Sequence, residues 1–315
     1  MTTRLILDCD TGTDDAIAIM TAVGHPLLEL VAVTTVNGNV PLENTTDNTL
    51  RVLDHVGADV PVFAGMDRPL TRPDFPIPRD VLNAGNPEFQ VFELDLPVAR
   101  TVQRSESAVD FLIDTYLSER GSDLVLVATG PLTNLAAVIA ADPRIISRIP
   151  RLIVMGGAVR GGNVTAAAEF NFWADPEAAE AVLSAGIPDV TIVPLEATHS
   201  APITLRHCDA FDGIGTPSAL ATSSFVRHRI RTQLPSETEG TPVHDALCIA
   251  YLIDPAVITS SARRSAHVET HGTRSVGELV VDDRPWSPES PNALVALQAD
   301  PERYAATLSA ALGAT

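Results

Sequence analysis

Residues 4–20 read RLILDCDTGTDDAIAIM, and this stretch decides the fold. Arg4 to Asp10 is a short apolar run rich in Leu and Ile, the pattern of a buried parallel strand. Thr11-Gly12-Thr13 supplies a turn. Asp14 and Asp15 then open a helix, where acids in the first turn meet the positive end of the helix dipole. The same strand-then-helix rhythm recurs downstream. Leu30 to Val36, Val60 to Ala64, Leu124 to Ala128, Leu152 to Met155 and Val190 to Pro194 read as strands. Glu43 to Val56, Ala108 to Glu119, Leu132 to Ala141 and Pro176 to Ala185 read as the helices between them. This alternation predicts an α/β fold with a doubly wound, mostly parallel sheet and a Rossmann-like core. Such sheets take their ligands at the carboxyl ends of the strands.

Two stretches interrupt the rhythm. Met66 to Pro97 is proline-rich and aperiodic, and reads as a long functional loop over the strand ends. Ser223 to Pro242 reads as polar and basic, then turn-rich, ahead of a helix beginning near His244. His267 to Asp282 looks like a β-hairpin, and Pro301 to Leu312 a closing helix. No repeat or linker divides the chain, so residues 1–315 read as a single catalytic domain.

Composition narrows the chemistry. The formal net charge is −19 over 315 residues, which repels phosphate backbones and anionic lipid. Neither a nucleic-acid nor a membrane partner is expected; a neutral small molecule or a cation is. All 21 Lys+Arg positions are arginine, which excludes Schiff-base lysines and P-loop lysines. Cys9, Cys208 and Cys248 lie far apart, against a disulfide framework or a zinc site. The chain opens directly on an apolar strand, without a basic leader, so a reduced cytoplasmic location is expected.

Asp8, Asp10, Asp14 and Asp15 crowd the end of the first strand. Strand alternation sends Asp8 and Asp10 to one face, and the turn brings Asp14 and Asp15 back beside them. Carboxylates packed this closely raise one another's pKa unless a cation sits among them. A hard divalent ion with oxygen ligands, Ca²⁺ first, is the expected solution. A solvated acidic helix start is the ordinary explanation for an isolated Asp-Asp, and four acids at a strand end exceed it. Haloacid dehalogenase phosphatases also place two aspartates at a first strand end. They want Thr or Val where Gly12 stands, and a lysine that this chain lacks.

The string DCDTGTDDAIAI at Asp8 to Ile19 resembles the signature of the inosine–uridine-preferring nucleoside hydrolases. In the family's order follow VNGN (Val36 to Asn39), ATGPLTNLA (Ala128 to Ala136) and MGGAVRGGN (Met155 to Asn163). AEFNFWADPEAA (Ala168 to Ala179), PVHDALCIAYLIDP (Pro242 to Pro255) and a late GELVVD complete the series. The resemblance implies the nucleoside hydrolase fold and hydrolysis of the N-glycosidic bond of a ribonucleoside. It implies Ca²⁺ held by Asp10, Asp15, Asp245 and the Thr129 carbonyl, with Asp10 also the general base. It further implies a sugar site of Asp14, Asn39, Met155, Asn163, Glu169, Phe170 and Asn171, with His244 catalytic beside the leaving base. A homo-oligomer, dimer or tetramer, is expected on the same ground.

The chemistry agrees with these assignments. Breaking the glycosidic bond builds positive charge on the sugar, which carboxylates stabilise. Glu169 and Asn171 have an ordinary alternative as caps ahead of Pro176, and His199 and His207 read as plain structural histidines. The chain also departs from the family. Its long loop reads Val81-Leu82-Asn83-Ala84-Gly85-Asn86 where members carry a His-Gly pair. Ahead of His244 it offers Phe225, His228, Arg231 and Gln233 where members carry tyrosines. The sequence therefore leaves the nucleobase open. A hydrolase of a modified riboside and a non-catalytic ribose-binding protein are the alternatives.

Overall fold

β1 (Thr3–Cys9) alternates its side chains between two buried layers. Leu5, Leu7 and Cys9 enter one apolar cluster, and Ile6 enters the other. Both faces of the strand are therefore covered, as an interior parallel strand requires. The computed structural model describes residues 2–72, 86, 88, 91–232 and 240–314.

The chain runs on through α1 (Thr13–Gly24), β2 (Leu28–Thr35), α2 (Leu42–His55) and β3 (Val62–Ala64). It returns with α3 (Ala108–Tyr116), β4 (Val125–Ala128), α4 (Thr133–Ala141) and β5 (Arg151–Met155). Next come α5 (Phe170–Ala174), α6 (Pro176–Leu183), β6 (Val190–Val193) and α7 (Leu195–His199). β7 (Ile203–Thr204), α8 (Leu205–Ile214), α9 (Pro217–Thr232), β8 (Gly240–Thr241) and α10 (His244–Ile253) follow. The end of the chain is β9 (Ile258–Val268), β10 (Leu279–Asp282), β11 (Ala293–Ala299) and α11 (Pro301–Leu312).

The main sheet has the order β10-β9-β11-β6-β5-β4-β1-β2-β3. From β11 to β3 every neighbouring pair is parallel. β9 runs antiparallel to both β11 and β10. One side of the sheet is packed by α1, α2 and α8 to α11. The other is packed by α3, α4 and α6. The expected doubly wound α/β architecture is what the chain forms.

The winding fixes where a ligand can sit. From β1 the chain moves outward to β2 and β3, then returns to place β4 on the opposite side of β1. Connections leave in opposite directions from these two strands, which opens a crevice at their carboxyl ends. Asp8 pairs with Ala128 in register, and Thr129 N donates to the Asp8 carbonyl at 2.8 Å. Asp10 and Thr129 thus emerge side by side at the switch point.

Strand β11 and the small β7–β8 pair were not expected, and four further features differ from expectation. α9 (Pro217–Thr232) is a continuous helix that takes in the first part of the Ser223 to Pro242 stretch, expected to be polar and basic, then turn-rich. α5, α7 and α8 are additional short helices. β9 begins at Ile258, ahead of the hairpin, because it also pairs with β11. Leu117 to Glu119 fall outside α3, whose C-terminus is at Tyr116. Val81 to Gly85 and Gln233 lie outside the described residues.

Candidate active site

Asp10 is fully buried just past the end of β1. Its Oδ2 accepts from the Asn39 backbone N–H at 2.6 Å. Gly38 and Gly130 leave room for the carboxylate; a Cβ on Gly130 would lie 3.0 Å from Asp10 Oδ1. That Oδ1 is buried without a hydrogen-bond partner among the described residues. Burial, then the Asp15 charge, pushes the Asp10 carboxyl well above the usual range.

Asp14 and Asp15 stand in the first turn of α1. Asp15 Oδ2 accepts from Gly12 N at 3.0 Å, and Oδ1 accepts from the Thr129 hydroxyl at 2.8 Å. These contacts tie the helix start to the ends of both central strands. Asp245 enters from the first turn of α10 and is 3% exposed. One oxygen each from Asp14, Asp15 and Asp245 fall within 4.8 Å of one another. Burial, then Asp14, raises Asp15 to about 7. Burial, then Asp14, Asp15 and Asp10, pushes Asp245 well above the usual range.

This donor set fits a hard divalent cation. It offers only oxygens, it is buried, its charges repel one another, and the Asp10 Oδ1 atom has no hydrogen-bond partner among the described residues. Zinc prefers nitrogen and sulfur donors. The geometry redistributes the expected roles in one respect. The convergent trio contains Asp14, expected on the sugar, and does not contain Asp10, expected as a ligand. Asp8 does not join the cluster. Its Oδ1 accepts from Thr34 Oγ1 at 2.5 Å and Asn134 Nδ2 at 2.7 Å, bracing β1 against β2 and α4.

Most of the expected sugar residues lie at the end of β5, in the turn after it and at the start of α5. Glu169 is the N-cap of α5 and accepts from Asn171 N at 2.9 Å, with Gly157 N at 2.8 Å on its other oxygen. The ordinary capping role is therefore real, and the residue is only 2% exposed. Burial lifts its carboxyl to about 7 against those three backbone donors, Phe172 N being the third. Asn171 Nδ2 donates to the Thr129 carbonyl at 2.7 Å and to the Met155 carbonyl at 3.1 Å. Met155 ends β5, and Phe170, also buried, opens α5. Asn163 is exposed and its Oδ1 accepts from Phe170 N at 3.0 Å, orienting the helix start. Asn39 is half-buried, and its Nδ2 lies 3.4 Å from the Asp10 carbonyl.

His244 begins α10, one residue before Asp245, so the two side chains diverge as expected at a helix start. Its Nδ1 lies 2.8 Å from Thr198 Oγ1. Burial holds the imidazole down to about 3, and so neutral, although Asp14 pulls the other way. His199 is not a remote structural residue. Its ring centroid lies 5.6 Å from that of His244. His207 is structural: its Nδ1 accepts from Thr204 N at 3.1 Å, at the start of α8.

One site residue escaped the sequence reading altogether. Arg229, in α9, is 5% exposed and its Nη1 lies 3.2 Å from Asp14 Oδ1. Burial raises the Asp14 carboxyl, but the Arg229 guanidinium, helped by hydrogen bonds from Asp14's own backbone and from Asp245, holds Asp14 below its usual range. Its neighbours look elsewhere. Phe225 packs into the core, and His228 Nε2 lies 2.8 Å from the Glu88 carbonyl. A basic helical stretch gives no sign of which arginine is inward until the helix phase is known.

A doubly wound sheet with a buried carboxylate cluster at its switch point is the arrangement expected for the nucleoside hydrolase class. The family model described as inosine-uridine preferring nucleoside hydrolase matches residues 5–306. The chain belongs to that family and is a nucleoside hydrolase. It is 36% identical over 281 residues to the pyrimidine-specific ribonucleoside hydrolase RihB of Escherichia coli, across 89% of this chain and 87% of that protein. Among solved structures it resembles the purine-preferring ribonucleoside hydrolase of Gardnerella vaginalis, with a TM-score of 0.88, 29% identity and 98% of each chain covered. It also resembles a plant nucleoside hydrolase, with a TM-score of 0.89, 27% identity and 100% of each chain covered. No helix among the described residues is long and apolar enough to cross a membrane.

Proposed function

We propose that the chain hydrolyses the N-glycosidic bond of ribonucleosides in a Ca²⁺-dependent reaction, releasing ribose and a free nucleobase. The observation that carries this is the buried oxygen-only cage at the β1/β4 crevice, with Asp10 Oδ1 unpartnered beside it. A divalent cation supplies, when bound, an electrostatic lowering of the pKa of water. Asp15 and Asp245, whose oxygens converge with one from Asp14, would hold it together with Asp10 and the Thr129 carbonyl. Asp10 Oδ1 receives the proton from the attacking water, since Oδ2 is already committed to Asn39 N. Asp14 and Asn39 orient the ribose diol, and Glu169, Asn163 and Asn171 line the remaining sugar wall with Met155 and Phe170. The carboxylates face the positive charge that develops on the sugar. His244, kept neutral by burial, meets the leaving base through a ring nitrogen not engaged by Thr198. The three thiols are free and buried, in keeping with a cytoplasmic enzyme.

The test is reducing-sugar release from a panel of ribonucleosides, with added Ca²⁺ and with excess EDTA. The panel spans pyrimidine, purine and modified bases, because RihB and the Gardnerella vaginalis hydrolase differ in the base they take. Release that is abolished by EDTA and restored by Ca²⁺ is expected. Full activity in EDTA removes the metal reading, and binding without release turns the protein into a ribose binder.

A further inference from the structure

Four carboxylates meet at the crevice, and two demands fall on one of them. Asp14 Oδ1 is 3.2 Å from Arg229 Nη1. Asp14 also belongs to the trio whose oxygens converge within 4.8 Å. Asp10, Asp15 and Asp245 make no ion pair with an arginine among the described residues. The guanidinium is fixed in place. It is 5% exposed, it projects from the 16-residue helix α9, and Nη1 also lies 3.3 Å from Thr13 Oγ1.

A guanidinium stays charged at any working pH and directs its hydrogens in a rigid fork. A carboxylate already bound to one cation is a poor ligand for a second, because the two cations repel in a dehydrated site. We infer that Arg229 is a positioning residue that divides the four carboxylates, holding Asp14 for the ribose diol and leaving Asp10, Asp15 and Asp245 for the cation. This rests on the function proposed above. Without Arg229 the Asp14 carboxylate, whose oxygen already converges with those of Asp15 and Asp245, is free to join the ligands of the cation. Metal binding then strengthens while the sugar loses its hydrogen-bond acceptor. The arginine thus sets metal affinity against sugar selectivity through a residue that touches both.

Calcium titration calorimetry on Arg229→Met, alone and combined with Asp14→Asn, tests the inference. With Asp14 present, Arg229→Met is expected to bind Ca²⁺ about tenfold more tightly, a coupling typical of adjacent charged groups. In the Asp14→Asn background the same substitution is expected to change affinity by less than about twofold. The ratio of kcat/KM for a ribosyl over a 2′-deoxyribosyl substrate should also fall by about tenfold in Arg229→Met. Arg229→Lys, which restores the charge, should recover most of both properties. If the methionine variant does not fold, Arg229→Gln carries the same expectation. Unchanged or weaker Ca²⁺ binding overturns the inference. So does tightening that persists in full without Asp14, because Arg229 would then act only as a nearby charge. A wild-type protein that binds no Ca²⁺ strikes the metal reading itself, an outcome separate from these.

Discussion

The Asp10 carboxylate fills the space that a Cβ on Gly38 would need. Glycine at 38 is required by this close approach and not by its backbone angles, since Gly38 is not among the glycines with positive φ. The next residue, Asn39, donates its backbone N–H to the same carboxylate at 2.6 Å. The VNGN turn after β2 is therefore shaped around the Asp10 carboxylate.

Gly38→Ala should accordingly displace the Asp10 carboxylate while leaving the sheet intact. A shift of about 1 Å in a reacting group can cost on the order of 10²-fold in rate. We expect a loss of that size in kcat, with far-UV circular dichroism unchanged. A variant within threefold of the wild type, about 0.7 kcal/mol, would show that Asp10 needs no such exact placement.

Asp10→Asn separates the base from the fold. The Asn side-chain carbonyl can still accept from Asn39 N, so the local structure should persist. Loss of a general base typically costs ~10²–10⁴-fold. The substitution also removes a carboxyl that is costly to ionise where it is buried with an unpartnered oxygen and no cation compensates it. In excess EDTA the melting temperature should therefore be no lower than that of the wild type. A lower value would mean that ionised Asp10 stabilises the metal-free protein.

Asn171 bears on the proposed cation site through the backbone. Its Nδ2 holds the Thr129 carbonyl at 2.7 Å and the Met155 carbonyl at 3.1 Å, which fixes the ends of β4 and β5 relative to each other. Partners that orient a metal ligand are commonly worth 10–100-fold in affinity. Asn171→Leu should lower Ca²⁺ affinity by roughly that factor. Calorimetry measures it directly, and an unchanged affinity would remove the Thr129 carbonyl from the ligand set.

The sequence exposed the first βα unit fully, because local chemistry encodes it: an apolar run, a turn and two acids at a helix start. It was silent where structure depends on partners far along the chain. Asp245 joins Asp15 only after some 230 intervening residues have folded, so its role came from string resemblance. α9 was missed because buried Thr222, Ser223 and Arg229 break the apolar helical period that would have marked it. Arg229 faces inward because Asp14 offers it a charge, and no local pattern carries that information. α5 spans only Phe170–Ala174, too short to show a period, and is nucleated by the Glu169 cap. The long loop's missing histidine was legible, and its neighbour Asn86 donates to the Thr232 carbonyl at 2.7 Å.

Glu169 gives the final prediction, on stability against pH. Its side chain is 2% exposed, and burial raises its carboxyl from 4.5 to about 7 despite three backbone donors. Between those values the folded protein binds more protons at this residue than the unfolded chain does. Stability falls with pH wherever the folded state holds the extra proton. The contribution of Glu169 is therefore most favourable below 4.5, declines as pH rises to about 7, and is flat above that. The full span corresponds to about 3 kcal/mol, at 1.36 kcal/mol per pH unit. Glu169→Gln cannot titrate, and its amide oxygen can still accept from Asn171 N or Gly157 N. Urea unfolding of both proteins in EDTA, at steps from pH 4.5 to 7.5, isolates the difference. The variant should gain stability relative to wild type steadily across the window, and the gain should level off near pH 7. Parallel pH profiles for the two proteins would mean that Glu169 is ionised throughout, held so by the N–H groups it caps. Its negative charge would then already be in place for the sugar at every pH tested.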